Sequence, residues 1–93
     1  MRVAWWVYML RCRDGSLYTG VTTDVERRFA QHRAGTGAKY TRSHPPEAIV
    51  YREELPDKPA ALRRALAIKG LQREAKLRLI ETALAAPGTP DSR

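Results

Sequence analysis

The sequence holds one cysteine, one phenylalanine and only 10 acidic residues against 17 lysines and arginines. The lone thiol, Cys12, rules out an internal disulfide framework, gives no reason to expect a disulfide-linked partner, and suits a reducing cytoplasm. The longest apolar stretch, Val3 to Leu10, is too short to span a bilayer and is followed by no cleavage-site pattern. A soluble cytoplasmic protein without membrane contact is therefore expected. Several chemistries are missing as well: there is no HExxH, no CxxC, no glycine-rich phosphate loop and no GxSxG. His32 and His44 stand far apart with no third soft ligand, which argues against a zinc site.

What is present is charge of one sign. The formal net charge of +7 on 93 residues points to an anionic partner, with nucleic acid the default. The cations cluster. Arg27, Arg28, Arg33, Lys39 and Arg42 form one run without an acid, and Arg63, Arg64, Lys69, Arg73, Lys76 and Arg78 form a second broken only by Glu74. Such runs are often solvated helix faces. Tyr40 and His44, set among the loop cations, add flat rings on which exposed bases could stack.

The pattern predicts one small α+β domain over residues 1–86, with 87–93 a disordered tail that carries no core residues. Val3 to Cys12 and Leu17 to Thr22 read as two strands joined by the turn Arg13-Asp14-Gly15-Ser16. Thr23 and Glu26 match a capping box, opening a helix from Val25 to Arg33 with Val25, Phe29 and His32 on its inner face. Gly35 and Gly37 end it and open a loop from Thr36 to Pro46. A third strand follows over Ala48 to Glu54, with Ile49, Tyr51 and Glu53 on one side. Asp57 is placed to cap a helix from Ala60 to Leu71 with Leu62, Ala65, Leu66 and Lys69 on one face. A last helix, Arg73 to Ala85, would bury Leu77, Ile80 and Leu84. The expected architecture is a three-stranded antiparallel sheet flanked by three helices in the order β-β-α-β-α-α. Tyr8 and Tyr18, at comparable points on the two hairpin arms, need hydrogen-bond partners if buried.

Trp6-Val7-Tyr8 and Tyr18-Thr19-Gly20 resemble the paired motifs of the GIY-YIG nuclease superfamily. Val25-Glu26-Arg27-Arg28-Phe29 with His32, then Gly37 to Arg42, then Ala61-Leu62 and Ile68-Lys69-Gly70-Leu71 follow in the same order. The likeness covers about residues 5 to 82 and is greatest to the small single-domain bacterial YhbQ-like branch. It implies a phosphodiesterase acting on DNA with one Mg²⁺ or Mn²⁺. The substrate would be single-stranded or structured DNA rather than long duplex, met at the bacterial nucleoid. The resemblance places Tyr8 and Tyr18 in the site, with Tyr18 activating or orienting water, Arg28 stabilising phosphate charge, and His32 as a further active-site residue. Arg27, Lys39, Tyr40, Thr41, Arg42 and Lys69 are the expected nucleic-acid contacts.

One position departs from the family. Where the resemblance implies the metal-binding glutamate, this chain has Ala65, and an alanine cannot ligate a hard cation. The expectation is a chain that binds DNA without cutting it. The otherwise intact site favours an inactivating change at 65 over a naturally silent module, which would be expected to lose Tyr18 or Arg28 too. A basic protein-interaction domain is the third reading.

Overall fold

The computed structural model describes residues 3–85, so the expected tail at 87–93 lies outside the described residues. Three strands, β1 (Trp5–Cys12), β2 (Leu17–Thr22) and β3 (Pro46–Leu55), form an antiparallel sheet in the order β2-β1-β3. The first turn folds on itself: Gly15 takes φ +87°, and the Asp14 carboxylate accepts from the Ser16 backbone N at 3.0 Å and hydroxyl at 2.6 Å. An aspartate bonding its own backbone two residues on, followed by glycine, is strong turn chemistry.

Among the described residues four helices cover the sheet: α1 (Val25–Arg33), α2 (Lys39–Ser43), α3 (Lys58–Lys69) and α4 (Arg73–Ala85). The short α2 is a correction, because the segment reads as loop. Its single turn ends at His44, ahead of the two prolines that forbid continuation. The cap of α1 is also corrected: Asp24, not Thr23, accepts from the Arg27 backbone N at 3.1 Å. Asp57 caps α3 as expected, accepting from Ala60 N at 2.9 Å.

Because β1 is central, its alternate side chains feed two cores. Val7 and Met9 pack with Tyr51, Ala61, Ala65, Ile68 and Ile80 on one face. Tyr8 and Leu10 pack with Val25 on the other, flanked by Trp6, Tyr18, Phe29 and Ile49. The expected alternation in β3 fails at a bulge. Met9 pairs with Tyr51 and Leu10 with Ile49, so Val50 is skipped and Ile49 and Tyr51 face opposite cores.

The buried face of α4 is a further correction, and on α3 only Ala65 of the expected face is buried. Helix α3 buries Ala61, Ala65 and Ile68, while Leu66 is 69% exposed and Leu62 also lies outward. Helix α4 buries Ile80 with Leu79 and Ala83 packed beside it, leaving Leu77 and Leu84 exposed. Small alanines let α3 lie close on the sheet, which leaves its leucines outside. Ile68→Val is therefore expected to cost about 1 kcal/mol. Leu66→Ala should stay within about 0.5 kcal/mol. Urea-denaturation midpoints of the two variants check this.

Candidate active site

The site grows from the hairpin. Tyr8 on β1 pairs across the sheet with Gly20 on β2. A Cβ at Gly20 would lie 2.6 Å from the Tyr8 hydroxyl, so the phenol rests directly on bare backbone. Tyr8 is 1% exposed, and its hydroxyl lies 2.8 Å from His32 Nε2 on α1. His32, also 1% exposed, has Nδ1 2.7 Å from the Thr41 hydroxyl, which in turn donates to the Ala38 carbonyl at 2.9 Å.

One proton assignment satisfies these three shortest contacts at once: Tyr8 O–H donates to Nε2, Nδ1–H donates to Thr41, and Thr41 donates to Ala38. The Ala38 N–H, 3.3 Å from Nδ1, is the loose end of that chain. Burial, with the Tyr18 phenol alongside, pushes Tyr8 up to about 12, partly opposed by the Arg28 guanidinium. Burial, with help from the same guanidinium, pulls His32 down to about 4. Both shifts therefore oppose moving the Tyr8 proton onto His32. The pair is neutral at rest and holds geometry rather than charge.

Two glycines make the arrangement possible. A Cβ at Gly37 would run into the His32 ring at Nδ1, as one at Gly20 would run into Tyr8. Gly20→Ala and Gly37→Ala are each expected to destabilise by about 1–3 kcal/mol, readable in urea unfolding.

In front of the buried chain stand the groups that reach solvent. The Tyr18 ring is half-buried, with its centroid 5.0 Å from that of His32 and 6.3 Å from that of Tyr8. Arg28 is half-buried and donates to Gln31 Oε1 at 2.8 Å. A cleft of about 310 Å³ along the β2 edge is lined by Arg27, Arg28, Gln31, Asp24, Trp5 and Val21. Further along β2 a recess of about 270 Å³ takes Tyr18, Tyr40, Lys69 and Lys76. Lys39 and Arg42 project from α2 into solvent.

Tyr8, Tyr18, Arg28 and His32 therefore come together, with Arg27 beside them and Tyr40 and Lys69 across Tyr18. Thr41 does not fit its expected role. At 2% exposed it offers no surface for a direct contact, and its hydroxyl is bonded to the His32 imidazole instead. A hydroxyl in a run of cations reads as a surface contact until α2 turns it inward. Lys76 was missed because a lysine in the middle of a charged helix carries no signal of its own. Arg64 leaves the cationic surface, since its Nε donates to Glu53 Oε1 at 3.0 Å.

Ala65 is 4% exposed and belongs to the apolar cluster on the sheet face opposite Tyr8. Oxygen donors around Tyr18 are hydroxyls, and Glu53, on the Ala65 side of the sheet, is held by Tyr51 and Arg64. Among the described residues no three His, Cys, Asp or Glu side chains gather as metal ligands. This donor set does not fit Mg²⁺ or Mn²⁺, which need hard, charged oxygens. Among the same residues no helix is long and apolar enough to cross a membrane.

The model of the GIY-YIG catalytic domain matches residues 4–78. The UPF0213 protein SH2523 of Staphylococcus haemolyticus is 50% identical over 76 residues, which is 82% of this chain and 93% of that protein. Two solution NMR structures share the fold. The UPF0213 protein BH0048 of Bacillus halodurans is 45% identical with a TM-score of 0.54, over 84% of this chain and 83% of that one. The protein EF2693 of E. faecalis is 36% identical with a TM-score of 0.59, over 90% and 92%.

Proposed function

The chain belongs to the GIY-YIG family, in its small UPF0213 branch, and on that premise we propose that it binds DNA at a nuclease site that does not cut. The family is one of endonucleases, generally metal-dependent. In this reading the loss of cleavage follows from Ala65, whether that residue is native or introduced. The observation that carries the proposal is the placement of Tyr18 beside His32 and of Arg28 beside Tyr8, both half-buried, at the neutral Tyr8–His32–Thr41 chain, each lining its own cationic recess.

Each part has a task in binding a phosphodiester. Arg28 offers fixed N–H donors and full charge to phosphate oxygens. Tyr18 presents a hydroxyl able to orient a water or donate to the same phosphate. Tyr8, His32 and Thr41 keep Tyr18 and Arg28 in place and exclude water behind them. Arg27, Lys39 and Arg42 extend the positive surface. Phosphodiester cleavage also needs charge where the transition state builds it, and no carboxylate-held cation is available here to add to Arg28. The favoured substrate is single-stranded or structured DNA, since the aromatic rings beside the site can stack on unpaired bases.

The test is equilibrium binding of labelled DNA over a range of salt. Affinity should fall linearly in log–log form, and Arg28→Ala should reduce the slope by about 0.7–0.9. With Mg²⁺ or Mn²⁺ the bound DNA should stay intact. Absence of binding at low salt would reject the proposal and favour a protein-interaction role.

A further inference from the structure

We propose that the recess lined by Leu17, Tyr18, Thr19, Tyr40, Lys69 and Lys76 is a nucleotide subsite, holding one unpaired base against Tyr40 with its phosphate at Lys69 and Lys76. This rests on the nucleic-acid reading above and adds to it what part of the strand is gripped and by what.

Tyr40 is the anchor. Its ring lies on that of His44 with centroids 4.0 Å apart and planes 6° from parallel. His44 is itself tethered, with Nδ1 3.0 Å from the Tyr40 carbonyl and Nε2 3.8 Å from Asp14. One face of the Tyr40 ring is thus covered and the ring is held still, while the residue as a whole remains 38% exposed. The Tyr18 ring stands near it, 5.9 Å between centroids and 23° between planes, and both rings line the recess. A part-exposed, immobilised ring lining an open recess can serve as a stacking platform, and stacking on it requires a base whose own face is free. Bases inside a duplex have both faces occupied, so an unpaired or extruded one is selected.

The cations fix the other half of the nucleotide. Lys69 ends α3 and Lys76 rises from α4, and neither forms an ion pair among the described residues. Two lysines converging on a recess with aromatic walls suit a phosphate and a base together better than either alone. Leu17 and Thr19 close the floor with apolar and hydroxyl surface, giving little means of reading base identity. The Arg27–Arg28 cleft lies toward the far end of β2. A strand seated in both would run along the unpaired edge of β2 and pass Tyr18.

The test compares a short single-stranded oligothymidylate with an abasic oligomer of the same length, which keeps the phosphates and lacks the bases. Binding by the wild type, Tyr40→Leu, Tyr40→Trp and Lys76→Gln is measured at low salt, with circular dichroism as the check on folding. Tyr40→Leu should weaken the thymidylate strand at least about fivefold, the lower end of one base–aromatic stack. It should leave the abasic oligomer unchanged, and Tyr40→Trp should bind thymidylate at least as well as wild type. Lys76→Gln should weaken both ligands and lower the salt slope by about 0.7. If Tyr40→Leu weakens both ligands equally, or neither, the base subsite is wrong while nucleic-acid binding stands. If the wild type binds neither ligand, the parent reading fails and takes the subsite with it.

Discussion

Between about pH 6.5 and pH 4.5 the chain is expected to lose most of about 3 kcal/mol of folding stability through His32 alone. The imidazole is held near 4 in the fold, first by burial and then by the Arg28 charge, against an ordinary value of 6.5. A depressed histidine binds its proton more readily when unfolded. Stability is therefore complete above pH 6.5 and drains away as pH falls toward the folded value. The carboxyls of Asp14, Glu26 and Glu53, held below their ordinary range mainly by hydrogen bonds from Ser16, Arg52, and Tyr51 with Arg64, lose their contribution at lower pH. The window above about 4.5 thus belongs mainly to His32.

Replacing the residue should show the same interaction from the other side. His32→Leu leaves the Tyr8 hydroxyl facing a hydrocarbon, an orphaned buried group costing about 1–3 kcal/mol, while Thr41 loses its imidazole partner but keeps its bond to Ala38. A loss of about 3 kcal/mol at pH 7 is expected, a large share of a domain's 5–15 kcal/mol. The variant should also lose most of the slope between pH 6.5 and 4.5, because the buried imidazole responsible for it is gone. Urea unfolding across this range distinguishes the outcomes, and an unchanged slope in His32→Leu would remove the neutral-chain account.

Much of this was legible from residues. The hairpin, the span of α1 and the inner placement of Val25 and His32 follow from β-branched content, Asp-Gly chemistry and helical spacing. The grouping of Tyr8, Tyr18, Arg28 and His32 followed from motif order. What escaped depends on three-dimensional fit. The Val50 bulge sends Ile49 and Tyr51 to opposite cores, and no local pattern marks a skipped pairing. On α3 the hydrophobicity of Leu62 and Leu66 pointed to the wrong stripe, since close approach to the sheet selects Ala61 and Ala65. Thr41 was read as a surface contact because its inward turn depends on α2, whose single turn is fixed by His32 rather than by propensity.

The second large effect concerns Ala65. It stands one helical turn before Lys69, so both share a face of α3, and Lys69 lines the recess beside Tyr18. Ala65 itself is buried in the apolar cluster, so a longer side chain there must carry its head outward along its stem to reach the rim where Lys69 stands. Ala65→Glu supplies the missing hard oxygen, and Ala65→Gln supplies the same shape without the charge. Melting temperatures establish that both remain folded.

The decisive measurement is single-turnover cleavage of labelled single-stranded and branched DNA, with Mg²⁺ or Mn²⁺ and again with chelator. Wild type and Ala65→Gln should bind and leave the DNA whole. Ala65→Glu should cut at least about 100-fold faster than either, the scale of one electrostatic group in a transition state, and stop when metal is removed. Metal-dependent cutting by the wild type at the rate of Ala65→Glu would contradict the account, and so would a folded, DNA-binding Ala65→Glu that cuts nothing.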